Sequence, residues 1–261
     1  MLISVIVSTY NRPDALSLVL QSLNQQTDDN FEVVVADDGS TEDTRHLVES
    51  FQANFQQSLH YVWQDDLGFR AAAVRNLAVK QCTGSYFIFL DGDCIVQPDF
   101  IARHRSLCEN NHMVTGSRVL LNKKFTSALI DNKVWDFSDF KRSLFSKRLN
   151  GSVNKFINFY FKFNFSGFRY YRNFKWRRIK GCNFACWRCD FESIDGYDET
   201  FEGWGHEDAD LAFRLNFIGI KRKSGAFSTE VLHLHHPENN RAKAEENKSK
   251  LLQKISNAFR G

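Results

Sequence analysis

Tyr86-Phe87-Ile88-Phe89-Leu90-Asp91-Gly92-Asp93 decides how the rest of this 261-residue chain is read. A run of five apolar residues that ends on turn formers fits a strand buried on both faces, and Asp-Gly-Asp turns the chain while projecting two carboxylates from the strand's end. Two earlier stretches are built alike. Val5-Ile6-Val7-Ser8-Thr9-Tyr10-Asn11-Arg12 and Val35-Ala36-Asp37-Asp38-Gly39-Ser40 each pass from a β-branched run to a polar cluster. Between them the spacing turns helical: Leu16, Leu20 and Leu23 follow Pro13, and Leu47, Val48 and Phe51 share one face of 41–55. A short strand at 59–63 and a helix over 70–81 complete the series. Strands alternating with helices imply right-handed crossovers and a mostly parallel sheet, with the ligand crevice beyond the carboxyl ends of the strands. Ser8, Tyr10, Arg12, Asp38, Asp91 and Asp93 are therefore expected along one edge. A carboxylate pair there suits a hard divalent cation, Mg²⁺ or Mn²⁺, bridging to phosphate oxygens.

Composition narrows the class. Hydrophobic residues make up 43% and charged residues 25%, which are globular proportions, and no apolar run reaches the roughly 18 residues of a spanning helix. The apolar start has no basic residue ahead of it and meets Tyr10-Asn11-Arg12-Pro13 early, so a cytoplasmic location is expected. Six cysteines without an export signal read as free thiols; Cys182, Cys186 and Cys189 cluster but lack a fourth ligand for zinc. The net charge of +3 hides an asymmetry: residues 140–189 hold 13 Lys or Arg, no acid, and 15 of the 37 aromatics. Such a segment suits an anionic surface, either phospholipid headgroups or a phosphorylated glycolipid, more than nucleic acid. The competing reading is a helical insertion with aromatics in the core and charges in water. Further on, the pattern gives a helix at 98–109, helices with loops over 124–180, an amphipathic helix at 206–218, a last strand at 231–234 and a charged tail.

At this point the motifs carry a resemblance. The first half is similar to the family-2 glycosyltransferases of the GT-A fold: the stretches at 5–12 and 35–40 match that family's first two strands, and Asp91-Gly92-Asp93 its metal motif. Gln64-Asp65-Asp66-Leu67-Gly68-Phe69-Arg70 with Arg75-Asn76 resembles a subgroup signature. Gly203-Trp204-Gly205-His206-Glu207-Asp208-Ala209-Asp210 resembles the Trp-Gly-x-Glu-Asp segment of β-1,4-galactosyltransferases and bacterial chondroitin-type polymerases. The fold class expected is α/β, a Rossmann-like GT-A sheet flanked by helices, in one domain over 1–261. Within it, 1–118 is the nucleotide-sugar half, 119–180 a basic aromatic insertion, 181–236 the acceptor and catalytic half, and 237–261 a charged tail.

The resemblance also implies roles. Asp38 would contact uracil, Ser8, Tyr10 and Arg12 would cradle the nucleoside, Arg70 and Asp66 would approach the donor, and Asp91 the ribose. Asp93 would bind the metal together with His233, and strand alternation puts His235 on the same face as His233 and His236 on the other. Asp208 would be the base of an inverting transfer and Glu207 would hold a sugar hydroxyl, both favoured by the positive end of their helix. Trp204, Asn183 and Arg188 would meet the acceptor. The implied reaction moves a sugar (galactose, N-acetylgalactosamine or glucose) from a UDP-sugar to a cell-surface glycan or glycolipid, at the inner face of the cytoplasmic membrane. A non-catalytic glycan-binding scaffold and a sugar nucleotidyltransferase are the rivals; the second wants a glycine-rich phosphate loop, which Tyr10-Asn11-Arg12-Pro13 is not.

Overall fold

The computed structural model describes residues 1–163, 167–171, 173–237 and 240–259. Strands and helices alternate at the start: β1 (Ile3–Thr9), α1 (Pro13–Asn24), β2 (Phe31–Asp37), α2 (Glu42–Gln52), β3 (Leu59–Trp63), α3 (Ala71–Val79) and β4 (Tyr86–Asp91). There follow β5 (Cys94–Ile95), α4 (Phe100–Leu107), β6 (His112–Thr115), β7 (Arg118–Leu120), α5 (Lys123–Asn132), α6 (Phe137–Leu149) and α7 (Ile157–Tyr160). The chain closes with β8 (Asn183–Trp187), α8 (Arg188–Glu192), α9 (Glu207–Phe217), β9 (Lys221–Ser224), β10 (Val231–His233) and α10 (Ala244–Ala258).

The main sheet runs β3-β2-β1-β4-β8-β6-β9. Its first four strands are parallel, and the register sets Ser8 beside both Ala36 and Asp91, so three strand tips end in one row. This is the half that the alternating pattern predicts. The other half differs: β8 runs antiparallel to β4 and β6, and β5, β10 and β7 form a separate three-stranded sheet. The reversal has a local cause. The chain returns from the insertion to the carboxyl edge, where Asp91 N–H donates to the Cys182 carbonyl at 3.4 Å, and from there β8 can only run back along β4.

The insertion is no separate lobe. Trp135, Phe140, Leu144, Val153 and Phe159 are buried in the same core as α1 and the apolar faces of β1, β2 and β4. The tail docks as well, with Leu251 of α10 fully buried against Phe201 and Phe213, and Lys254 held by Asp198 and Asp210. All six cysteines are free. No helix among the described residues is long and apolar enough to cross a membrane.

One buried carboxylate ties the far edge of the parallel strands. Glu32 accepts from Ser4 Oγ at 2.6 Å, Thr83 N at 2.6 Å, Thr83 Oγ1 at 2.8 Å and Gly84 N at 3.0 Å, linking β1, β2 and the turn into β4. Burial pushes the Glu32 carboxyl up, but these hydrogen bonds outweigh it and hold the group below its ordinary value. A group depressed in the folded state adds stability above its unfolded value and loses it as pH falls through the folded one. Glu32→Ala should cost about 3 kcal/mol at pH 7, since it strands buried donors. The cost should shrink below pH 4 in urea titrations, and a pH-independent deficit would contradict this account.

Candidate active site

The tips of β1 and β2 are laced together. Asn11, in the left-handed region at φ 48°, donates from its N–H to Ser40 Oγ at 2.7 Å, and its side-chain oxygen accepts from Thr41 N at 3.0 Å. Asp38 is buried, and its carboxylate accepts from Gln64 Nε2 at 2.6 Å and Arg70 N at 2.7 Å. Burial pushes that carboxyl up, against the pull of these hydrogen bonds. Gly39 has φ 96°, and a Cβ there would sit 2.5 Å from the Asp66 Cα, so only glycine lets the 64–68 loop close on the β2 tip. In that loop Asp66 accepts from the Tyr10 hydroxyl at 2.9 Å, and the Arg70 guanidinium donates to the Asp65 carbonyl at 2.6 Å. Arg12 pairs with Asp14 at 2.9 Å.

Behind this row lies the residue on which the site turns. Arg75, on α3, is almost fully buried, with its guanidinium 3.0 Å from Asp91, 3.2 Å from Asp208 and 3.7 Å from Glu207. It also donates to Ser8 Oγ at 3.3 Å and lies 5.3 Å over the Tyr197 ring. The adjacent Asn76 fixes Tyr197 by pairing with that residue's backbone N–H and carbonyl, each at 2.9 Å. Among the described residues Arg75 is the functional group that the sequence reading left without a role. The available signal was that Asp91, Glu207 and Asp208 were all expected at the site while the cations expected there, Arg12, Arg70 and a divalent metal, were assigned to the donor.

Glu207 and Asp208 open α9 after a strained approach: Gly203, Gly205 and His206 all have positive φ. Gly181 makes room for Asp208, since a Cβ there would lie 1.8 Å from its carboxylate, and the Gly181 backbone N–H bonds to it. Burial raises the Asp208 carboxyl, and the Arg75 charge opposes that rise. Burial and then the Asp208 charge push Glu207 up to about 8, and its Oε2 is buried without a protein partner among the described residues.

A third cluster sits where β4 hands over to β5. Asp93 Oδ1 is 3.8 Å from His233 Nε2, and Asp93 Oδ2 is 3.5 Å from His236 Nε2. Here one expectation needs correcting: His236, rather than His235, faces Asp93 with His233. Strand β10 ends at His233, so alternation stops there, and the His235 N–H is used on Thr126 Oγ1 at 2.9 Å. Asp93, Cys94 and His233 bring their ligand atoms within 4.8 Å of one another, and His236 approaches the second oxygen of Asp93, a set of carboxylate and imidazole donors that fits a divalent cation. Cys94, whose sulfur lies within the same 4.8 Å cluster, is fully buried, and without a cation beside it burial raises its thiol pKa.

One cleft of about 1150 Å³ is lined by Ser8, Tyr10, Arg12, Asp38, Asp91, Asp93, Trp204, Glu207, Asp208 and His233. Asp66 and Arg70 stand behind its wall, contacting Tyr10 and Asp38. Two expected acceptor residues fall outside it. Asn183 is buried between His104 Nε2, at 3.1 Å, and the Thr229 carbonyl. Arg188 follows β8 at the opposite edge of the sheet, where it donates to the Cys82 carbonyl and Glu192. For Arg188 the reason is the reversed strand, since β8 carries its C-terminal end away from Asp91, whereas Asn183 begins β8 beside Leu90 and turns its side chain inward.

The description "Glycosyl transferase family 2" fits residues 4–179, and "N-terminal domain of galactosyltransferase" fits 161–237. The chain belongs to glycosyltransferase family 2. Among relatives of this family-2 chain, validoxylamine A glucosyltransferase of Streptomyces hygroscopicus subsp. jinggangensis is 31% identical over 84% of this chain and 52% of its own length. Chondroitin synthase of Escherichia coli is 29% identical over 82% and 32%. The chain thus spans about half or less of these two relatives. Two solved structures share the GT-A fold: S. aureus TarS 1-349 in complex with UDP-GlcNAc, at TM-score 0.66 and 16% identity over 99% of this chain and 66% of that one, and a Pyrobaculum calidifontis mannosyltransferase in complex with GDP-Man and Mn²⁺, at 0.63 and 19% over 99% and 64%.

Replacing the family-2 chain's buried cation tests its structural weight. Arg75→Met should cost about 3–5 kcal/mol at pH 8, because it abandons carboxylates in a partly dry site. The deficit should narrow at pH 5.5, where Glu207, pushed up to about 8, is protonated. Equal urea midpoints for wild type and variant at pH 8 would show that the cluster does not depend on it.

Proposed function

We propose that the chain transfers a glycosyl group from a UDP-sugar to a hydroxyl of a saccharide acceptor, with inversion at the anomeric carbon. The observation that carries this reading is a single cleft in which Arg75 pins Asp208 beside Asp91, while Asp93, His233 and His236 converge at the neighbouring strand tip. Asp38, anchored from two sides, presents its remaining lone pairs to a base, and Tyr10 closes over the nucleoside. A divalent cation held by Asp93, His233 and His236 would neutralise charge on the departing diphosphate, and the mixed oxygen and nitrogen donor set favours Mn²⁺ over Mg²⁺. Fold neighbours solved with UDP-GlcNAc or with GDP-Man and Mn²⁺ make a nucleotide sugar with Mn²⁺ the combination to try first. Glucose, galactose and N-acetylgalactosamine are the donor sugars proposed, the first in keeping with the printed name of the glucosyltransferase relative.

The two carboxylates of α9 divide the acid–base work. Asp208, its negative charge supported by Arg75, accepts the proton of the acceptor hydroxyl as the new bond forms. Glu207, protonated near neutrality, offers its free Oε2 to a sugar hydroxyl. Environments that push neighbouring carboxyls apart are how one site runs both roles. A non-catalytic scaffold would have no use for this arrangement.

The basic insertion gives the cleft a surface to work at. On α6, Lys141, Phe145, Arg148 and Leu149 are exposed and fall within about 100° of arc at 100° per residue. Ile157 and Phe161, exposed nearby, extend the apolar part, and the Tyr160 hydroxyl joins the two helices through the Lys141 carbonyl at 3.0 Å. Cations flanking exposed apolar side chains suit an anionic lipid surface, which supports a peripheral position on the cytoplasmic membrane, where a glycolipid acceptor would be presented.

Asp208→Asn should cut kcat by about 10³ with UDP affinity unchanged, whereas Asp93→Ala should abolish the metal-dependent part of UDP binding in calorimetry. The alkaline limb of kcat/KM should fall near pH 8 and vanish in Glu207→Gln, since ionising Glu207 places a second charge beside Asp208; a limb that survives would remove Glu207 from this role. On lipid, vesicles containing phosphatidylglycerol should pellet the protein and neutral phosphatidylcholine vesicles should not. Lys141→Glu with Arg148→Glu should erase the difference, and equal pelleting by both lipids would refute the surface.

A further inference from the structure

The wall of the cleft that faces the donor loops carries charge for which the transfer chemistry has no use. All five acids lining the cleft are engaged: Asp38 by Gln64 and the Arg70 N–H, Asp93 by two histidines, and Asp91, Glu207 and Asp208 by Arg75. Arg118, Arg177 and Lys180 line the same cleft, and none of them makes an ion pair among the described residues. The Arg118 guanidinium lies 3.9 Å from the Cys182 sulfur. Lys155 stands half-buried behind them and donates to Ser117 Oγ at 2.6 Å. Burial pushes its ammonium down, as do the charges of Lys180 and Arg118, against the pull of the buried Glu230. Arg177 and Lys180 are exposed and Arg118 is half-buried, so the cations gather on one concave wall open to solvent, where their field attracts a ligand that brings an anion.

The position of these cations says which ligand. Arg118 opens β7 and pairs in register with Val231 of β10, two residues before His233, so it borders the metal cluster. Lys180 precedes Gly181, whose N–H holds Asp208. The two cations therefore bracket the gap between the donor's diphosphate end and the base, which is where an acceptor hydroxyl must lie. At the mouth of this gap Trp176 and Trp204 offer indole faces, with Arg177 packed 5.0 Å over the first and Arg241 4.8 Å over the second. Flat apolar faces beside cations suit a sugar ring that carries a negative group.

We infer that the acceptor is an acidic saccharide, whose ring lies on Trp176 and Trp204 and whose carboxylate or phosphate pairs with Arg118 and Lys180. The inference rests on the proposed transfer only for which carboxylate is the base. Its test is calorimetric binding of three matched sugars, methyl glucoside, methyl glucuronide and methyl glucoside 6-phosphate, to protein saturated with UDP and Mn²⁺. Both acidic sugars, or one of them, should bind at least about tenfold more tightly than methyl glucoside, and the comparison between the two tells carboxylate from phosphate. Lys180→Met, at an exposed position, and Arg118→Met should each reduce the preference and together remove it, with UDP affinity held within twofold. Acidic sugars that bind no better than the neutral one, a preference that survives both substitutions, or a tenfold loss of UDP affinity in Lys180→Met would each overturn the assignment, the last by giving these cations to the diphosphate. Hydrolysis of UDP-sugars by the wild type, with water as acceptor, is read separately. Its absence alongside an intact preference would strike the transfer reading and leave the acidic-sugar site standing.

Discussion

Three carboxylates from two distant parts of the chain share one nearly buried guanidinium, and the site depends on that sharing. Asp91 ends β4, while Glu207 and Asp208 begin α9 more than a hundred residues later. Left to themselves, like charges this close in a partly dry cleft would drive the two elements apart or take up protons. Arg75 reverses that: its planar fork reaches Asp91 with one terminal nitrogen and Asp208 with the other. Lysine, a point charge on a flexible stem, could not bridge both at once. The anchoring of Tyr197 by Asn76, beneath the guanidinium, shows that the fork is itself held from below.

From this constraint the division of the fold follows. Parallel strands β1, β2 and β4 bring their tips to one line, so the donor end is assembled by regular structure and needs only short loops to finish it. The acceptor end has no such line. It is assembled by β8 reversing at Gly181, by a glycine-rich approach that enters α9 through the left-handed His206, and by an insertion folded back into the first core. Gly181 couples the halves: it lies where β8 rejoins the carboxyl edge, and its missing side chain is the space that the Asp208 carboxylate fills.

The same division explains what could be read from the sequence. Strand tips announce themselves, because an apolar run that breaks into Asp-Gly-Asp or Asp-Asp-Gly-Ser has one economical meaning, so Asp38, Asp91 and Asp93 were legible together. Asn183 and Arg188 were misplaced because a motif gives residue types and neither side-chain orientation nor strand direction: Asn183 turns inward at the start of β8, and the antiparallel strand carries Arg188 to the far edge. The His233 and His236 pairing was hidden by the end of a three-residue strand, beyond which period-two reasoning has nothing to act on. Arg75 sat in plain view within an ordinary amphipathic helix. A buried arginine has no local signature; what marks it is an electrostatic debt elsewhere in the chain.

The insertion's odd composition becomes intelligible once its side chains are sorted by where they point. Its early aromatics, Trp135, Phe140 and Phe159 among them, are core, which is what the reading of a solvated helical lobe expected of them. Some of its cations are tied down, Lys162 by Asp99 and Arg169 by backbone carbonyls, while others face outward in two sets: Lys141 and Arg148 on the exposed side of α6, and Arg177 and Lys180 on the cleft wall. Neither set would work if acids were interspersed, since a neighbouring carboxylate within a few ångströms would neutralise each cation in place and remove its reach toward an external anion. The absence of any Asp or Glu from 140–189 is thus one condition shared by two separate surfaces, and the net charge of +3 conceals it because all 31 acids of the chain lie outside that segment.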